Sequence, residues 1–343
     1  MIRVVVAEDS PTARELILSI LEADPEIQVV GSARDGVEAL ELTHQLRPHL
    51  VTMDVHMPRL DGLAATRAIM RQVPTPILIV SASARDDDLA MSFGALEAGA
   101  LAVVEKPANP GDPTFERQAE RLREKVHLMA GVKLVRDRRP EPRADVPSTP
   151  RRPAGSSRLI AIAASTGGPP AILQILRTLR PDFPAPILIV QHIATGFVAG
   201  FVSWLAQASN RPVELAVDGR KAEAGKVYIA PDGVHLEISR DGKLRLSDAD
   251  PVGGHRPSAD RLFHSVAESG IPAAAVILTG MGRDGAGAMT AMHNAGVQVI
   301  AQNEATSVVF GMPRAAIETG LINEVLPINQ IGSRLNALAF GAR

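Results

Sequence analysis

The sequence predicts an α/β protein made of two doubly wound parallel-sheet domains joined by a basic, proline-rich linker. Three observations predict it. Short runs of β-branched or wholly apolar residues alternate with amphipathic helical patterns along most of the chain, and runs apolar on both faces belong in parallel sheets covered by helices on each side. The 343 residues exceed one ordinary core and suit two. One segment, 133–158, interrupts the alternation with eight Lys or Arg, three Asp or Glu and five Pro, and has no apolar periodicity. That composition buries too little surface to offset the entropy of ordering, so it reads as a flexible, solvated tether. The segment divides the chain near 130 and 158, and the expected domains are 1–125 and 158–343, with the linker at 126–157.

In the first domain the strands are read at "RVVVA", "IQVVGSA", "LVTMD", "PILIVSA" and "ALAVVEKP". The helix after the first strand shows its buried face in Ala13, Leu16, Ile17, Ile20 and Leu21, spaced as i, i+3, i+4, i+7. After the linker, "RLIAIAAS", "APILIVQH", "AAAVILTGM", "VQVIAQN" and "NEVLPI" read as strands. Between them "PPAILQILRTL", "FVAGFVSWLAQAS", "SADRLFHSVAES" and "GAGAMTAMHNAG" read as helices. The stretch "KVYIAPDGVHLEISRDGKLRLSD" breaks the alternation and reads as a β-meander with a turn at Asp241-Gly242.

Bulk composition excludes several function classes. Net charge is −2, so no global field pulls the chain toward nucleic acid or an anionic membrane. No cysteine is present, which removes disulfide scaffolds, thiol catalysis and thiolate metal sites. Neither a signal-peptide apolar region nor an uninterrupted apolar span of membrane length appears, so a soluble, cytoplasmic protein without membrane insertion is expected.

In parallel sheets the chemistry collects at the carboxyl ends of the strands. In the first domain those ends carry Glu8 and Asp9, then Asp54, then Ser81, then Lys106. Three carboxylates in one place are costly unless a cation joins them, and hard oxygen ligands suit Mg²⁺. The hydroxyl and the lysine suit a phosphoryl group, and a carboxylate can itself accept one. The competing local reading is that Glu8-Asp9-Ser10-Pro11 simply caps the next helix.

"VVVAEDS", "LVTMDVHMPRLDG", "VSAS" and "VEKPA" together resemble the phosphoacceptor receiver domain of two-component response regulators, a flavodoxin-like fold. The resemblance implies that Asp54 is phosphorylated by a histidine kinase, that Glu8 and Asp9 hold Mg²⁺ with Asp54, and that Ser81 and Lys106 sense the phosphate. His56 and Val103 depart from the usual receiver pattern.

In the second domain "IAIAASTGGPP" runs from a small-residue strand into Ser165, Thr166 and a glycine pair. A serine at such a strand-to-helix turn suits an oxyanion, a bound phosphate or a plain cap. A nucleophilic serine needs a base and an orienting acid. His192 closes the neighbouring strand, with His255 and His264 as rivals. Asp284, in "VILTGMGRDGAG", stands in a glycine-rich loop where it could also cap a helix. The nucleophile elbow of α/β-hydrolases is incomplete here because Ala163 occupies its first position, and the order Ser, His, Asp differs from theirs.

Six motifs, "AIAASTGGPPAI", "IVQHIATGF", "YIAPDGVHLEI", "HRPSADRLFHSVA", "ILTGMGRDGA" and "IAQNEATSVVFGMPRAAI", resemble in order the Rossmann-like catalytic domain of CheB chemotaxis protein-glutamate methylesterases. The resemblance implies Ser165 as nucleophile, His192 as general base, Asp284 as its orienting acid, and an oxyanion hole from the N–H groups of Thr166 and Met281. It implies methyl-accepting chemoreceptors as substrate, glutamine deamidation as a second activity, and a histidine kinase of the CheA type as phosphodonor. It also implies a receiver that obstructs the cleft until phosphorylated, with no cofactor for the esterase step. Ala163 replaces a glycine common in that family. Arg256 and the "GGHRPS" loop are expected to border the cleft. Two alternatives stay open: an esterase or deamidase of another chemosensory pathway, and a catalytically silent adaptor. A DNA-binding regulator is disfavoured because the second domain has no basic recognition helix.

Overall fold

The structure is a computed structural model that describes residues 1–81, 86–132 and 158–341, the side chains of 86–90 excepted. The linker reading at 133–157 therefore lies outside the described residues. The chain divides into two compact units, Met1–Leu134 and Val135–Arg343.

The first unit alternates strand and helix without exception. Its order is β1 (Ile2–Ala7), α1 (Pro11–Glu22), β2 (Ile27–Ala33), α2 (Gly36–Leu46), β3 (Leu50–Met53), α3 (Gly62–Gln72), β4 (Ile77–Ser81), α4 (Asp86–Glu97), β5 (Ala102–Glu105) and α5 (Phe115–Ala130). The strands form one parallel sheet in the order β2-β1-β3-β4-β5. Val4, Val5 and Val6 are fully buried in β1, as are Ile77, Leu78 and Ile79 in β4. Of the face expected on α1, Ile17, Ile20 and Leu21 are buried. Ser10 caps α1 by accepting from Ala13 N, with Pro11 in the first turn, so the capping signal was genuine at Ser10 and Pro11. Helix α5 continues through Ala130, past the expected domain boundary at 125 and up to the division near 130 that composition suggests.

The second unit contains β6 (Leu159–Ala164), α6 (Gly168–Thr178), β7 (Ile187–Gln191), α7 (Val198–Ser209), β8 (Val213–Leu215), β9 (Val227–Ile229), β10 (His235–Ile238) and β11 (Leu244–Ser247). It continues with α8 (Ala259–Ser269), β12 (Ala273–Ile277), α9 (Met289–Asn294), β13 (Gln298–Gln302), α10 (Met312–Ile317), β14 (Glu324–Leu326) and α11 (Ile328–Phe340). Seven strands pair in parallel in the order β14-β13-β12-β6-β7-β9-β8. The chain leaves β6 in one direction and returns to β12 on its other side, which makes the β6/β12 boundary the topological switch point.

The meander is corrected in part. β10 and β11 form the expected antiparallel hairpin, and Gly242 takes a positive φ of 78° in its turn. β9 instead pairs with β7 in the main sheet. Val227, Tyr228 and Ile229 are buried on both faces, and only the sheet interior accommodates that. Helix α9 is also shorter than expected, because Gly285 and Gly287 hold its predicted first turn in a loop. No helix among the described residues is long and apolar enough to cross a membrane.

Close backbone approach at Gly62 fixes the loop after β3. A Cβ there would lie 2.0 Å from Asp54 O and 2.9 Å from Val55 Cα. Gly62→Ala is therefore expected to destabilise the first unit by about 2 kcal/mol or more. Gly131→Ala, whose Cβ meets nothing closer than 3.9 Å, serves as the near-neutral control. Thermal unfolding of both variants checks the difference, and equal melting would refute the steric argument.

Candidate functional site

The switch point of the first sheet lies between β1 and β3, and the three carboxylates meet there. Ligand oxygens of Glu8, Asp9 and Asp54 all lie within 4.8 Å of one another. Glu8 and Asp54 are buried and Asp9 is exposed. Lys106 Nζ stands 2.8 Å from Glu8 Oε2 and 3.2 Å from Asp54 Oδ2. Ser81 is buried at the end of β4, and its carbonyl accepts from Lys106 N at 2.8 Å, which makes the two residues neighbours across the strand ends. Asp54 Oδ1 accepts from Val55 N at 2.8 Å.

Electrostatics suit a bound cation. Burial, and then the charge of Asp54, raise the Glu8 carboxyl above its usual range against the pull of Lys106. Burial likewise raises Asp54, opposed chiefly by Lys106. Burial pulls the Lys106 ammonium down, but the charges of Asp54 and Glu8 outweigh it and leave it raised. One ammonium does not balance three carboxylates, and an all-oxygen set with an exposed member fits Mg²⁺.

The loop that follows Asp54 is pinned from the side. Arg59, in a left-handed conformation with φ 62°, pairs with Asp35, whose carboxylate caps α2 through Val37 N and Glu38 N. His56, one of the departures, is exposed, and Val103 is half-buried in β5.

In the second unit the expected residues stand at adjacent strand ends. The β6–β7 ladder closes with the pair Ala164↔Gln191, and His192 N still donates to Ala164 O at 2.9 Å. Across β6, Ser165 N donates to Thr279 O at 3.1 Å, just beyond the end of β12. Ser165 is thus tied to the extension of β12 on one side and borders the β7 end, with His192, on the other.

The turn after Ser165 is sterically committed. Gly167 has φ 75°, and a Cβ on it would come within 2.6 Å of Val308 Cβ. At Gly280, a Cβ would stand 2.8 Å from Ser165 Cβ. Thr166 is buried and its carbonyl accepts from Thr279 Oγ1 at 2.9 Å, whereas Met281, next to Gly280, is 47% exposed. Ala163 is fully buried, pairs with Ile277 and Val190, and leaves the ladder regular.

Asp284 is where the site is held. Its Oδ1 accepts from Ser258 Oγ at 2.8 Å and Asp260 N at 3.0 Å, and its Oδ2 accepts from Ala259 N at 2.7 Å. His192 Nε2 lies 2.9 Å from the same Oδ2. It is a close contact of imidazole and carboxylate, and neither ring nitrogen of His192 has a well-directed hydrogen-bond partner. Burial would raise the Asp284 carboxyl, but the His192 imidazole and the N–H groups of Ala259 and Asp260 together hold it at about 2. Asp284 therefore caps a helix after all, namely α8, while facing the histidine.

The rivals are resolved by position. The ring of His255 stacks on that of His192 with centroids 4.1 Å apart and planes 7° apart, so it borders the site face-on. His264 lies within α8. Arg256 donates to Asp248 O at 2.9 Å and so braces the loop that carries His255. Two residues that hold this site were not among the expected site residues: Ser258, read as the end of the "GGHRPS" loop and the start of a helix, and Gln191, whose carboxamide donates to Ser165 O at 2.8 Å and His192 O at 2.9 Å. A polar residue buried at the end of an apolar strand was the available signal for Gln191.

Comparison with known proteins covers the same two units. The family model for CheB methylesterase matches residues 160–335, and that for the response regulator receiver domain matches residues 4–113. A relative from Myxococcus xanthus, named protein-glutamate methylesterase/protein-glutamine glutaminase 4, is 49% identical over 99% of this chain and 98% of its own. A relative from Anaeromyxobacter dehalogenans, bearing the same activity name with the number 3, is 50% identical over 98% of each chain. Among solved structures, the Thermotoga maritima CheB methylesterase catalytic domain is similar to 54% of this chain over its entire length, at 38% identity and TM-score 0.51.

The Asp284 environment predicts a pH dependence. A carboxyl held below its unfolded value stabilises the native state when ionised, fully above an unfolded pKa near 4 and progressively less as pH falls through the folded value of about 2. Its contribution is about 2 kcal/mol. Asp284→Asn is expected to melt below the wild type at neutral pH, with the gap narrowing as pH drops from about 4 toward 2. A constant gap across that window would refute the assignment.

Proposed function

This chain belongs to the CheB methylesterase family and carries a receiver domain ahead of its esterase domain, and on that premise we propose that it hydrolyses glutamate γ-methyl esters on methyl-accepting chemoreceptors. It deamidates receptor glutamines by the same chemistry and works in the cytoplasm. A histidine kinase of the CheA type supplies its phosphoryl group. The observation that carries the esterase reading is the position of His192: its Nε2 lies 2.9 Å from Asp284 Oδ2, and its backbone N–H donates to Ala164 O, the residue that leads into Ser165.

In this reading Ser165 Oγ attacks the ester carbonyl while His192 takes the hydroxyl proton. The N–H groups of Thr166 and Met281 receive the developing oxyanion, a contribution of about 3 kcal/mol for a single donor. The tetrahedral adduct collapses, the C–O bond to the methoxy group breaks, and His192 returns the proton to the departing methanol. Water, deprotonated by the same ring, then releases the free glutamate. Asp284 keeps its charge throughout and stabilises the imidazolium. The esterase step uses no cofactor.

On the receiver, Asp54 attacks the phosphorus of the kinase phosphohistidine, the P–N bond breaks, and an acyl phosphate forms. Glu8, Asp9 and Asp54 are the residues that would hold Mg²⁺, whose bound charge neutralises the incoming phosphoryl oxygens. Lys106 pairs with the phosphoryl group, and the Ser81 hydroxyl donates to it. Phosphorylation relieves the restraint that the receiver places on the esterase.

Methanol release from methylated receptor tests both halves. Ser165→Ala is expected to lose turnover by about 10³-fold or more. Asp54→Asn is expected to keep the unstimulated rate and lose its rise with a small phosphodonor and Mg²⁺. Turnover that persists in Ser165→Ala, or full stimulation of Asp54→Asn, would overturn the corresponding half.

A further inference from the structure

Gln191 ends β7 immediately before His192, and its side chain is buried. Its carboxamide nitrogen spends one N–H on Ser165 O at 2.8 Å and the other on His192 O at 2.9 Å. Ser165 O also accepts from Gly168 N at 2.9 Å, so that carbonyl is held from two directions. The ladder between β6 and β7 stops at Ala164↔Gln191. Beyond it the strands part, one into the Ser165 turn and one toward α7. One backbone bond, from His192 N to Ala164 O at 2.9 Å, still joins the two strands there, and among the bonds described this carboxamide alone ties the Ser165 carbonyl to the His192 carbonyl.

The other end of the same group is awkward for the fold. Gln191 Oε1 is buried with no hydrogen-bond partner. It also stands where a Cβ on residue 168 would come within 2.0 Å, so it obliges that residue to be glycine. An unbranched apolar side chain of similar length would fill the same volume and strand no oxygen. Packing alone therefore does not account for a glutamine here.

We propose that Gln191 is a positioning residue for the hydrolysis: its single –NH₂ group staples the backbones of Ser165 and His192 and so sets the approach of the hydroxyl to the imidazole. The inference rests on Ser165 and His192 being nucleophile and base. Gln191 touches no reacting atom and acts only through those two residues.

The test uses full-length protein, phosphodonor, Mg²⁺ and methylated receptor. Gln191→Met keeps the length and removes both donors. It is expected to lower kcat about 10- to 100-fold with KM changed less than about twofold, because misplacement of reacting groups costs the transition state and not ground-state binding. The rate at which a fluorophosphonate modifies Ser165 should fall in parallel, while the melting temperature stays close to that of wild type. Wild-type kcat and labelling would overturn the proposal, as would a kcat loss accompanied by a matching loss of melting temperature. If Gln191→Met does not fold, Gln191→Asn is used, since it keeps the amide but falls short of both carbonyls; the same kcat loss supports the proposal and wild-type kcat overturns it. Ser165→Ala run alongside separates the failures: turnover there removes the nucleophile assignment. An inactive Ser165→Ala beside an unimpaired Gln191→Met removes the role of Gln191 alone.

Discussion

A buried carboxylate survives in a folded protein only if its charge is met, and in the second unit that requirement falls on Asp284. The start of α8 meets it with Ser258 Oγ and the N–H groups of Ala259 and Asp260, and the His192 ring completes the shell. Much of the geometry at that edge follows. The loop after β12 must fold back over α8, the 252–258 segment must carry His255 onto the His192 ring, and the end of β7 must lie where its histidine can reach across to the carboxylate.

The first unit solves a related problem with the opposite sign of tuning. Glu8 and Asp54 are raised, not lowered, because burial and mutual repulsion exceed what Lys106 returns. A carboxylate cluster left short of positive charge is ready for a cation, whereas a carboxylate given more donors than it needs is ready to stabilise one neighbouring imidazolium. The two sheets thus use the same switch-point topology for different electrostatic ends.

Much of this was readable in the chain. Strands such as "ILIVS" and "LIAIAA" are apolar on both faces, and that pattern has few homes besides the interior of a parallel sheet. The residues at their carboxyl ends follow directly, which is why Glu8, Asp54, Ser165 and His192 could be named by position. What stayed hidden depends on partners far apart in sequence. Val227–Ile229 looks like one more hairpin strand until the β7 edge is present to receive it. The three-residue edge strand β8 and the helices α10 and α11 were not read, since short or weakly periodic segments leave no strong signature. Gln191 and Ser258 are polar residues whose roles lie in backbone and carboxylate contacts, and apolar periodicity carries no information about those.

The capping at Asp284 is reciprocal. Asp260, in the first turn of α8, sends its own carboxylate back to Ala288 N at 2.9 Å, at the entrance to α9. Each segment therefore closes the other's open backbone end, and neither can detach without stranding a buried charge. Loops that carry catalytic groups commonly open on their own, at a small fraction of the energy of global unfolding. Here Asp284 belongs to a crosslinked pair of helix ends, so its amide should exchange with the core and not with the surface. Heat would then remove activity and structure in a single transition, with no inactive but folded stage between them.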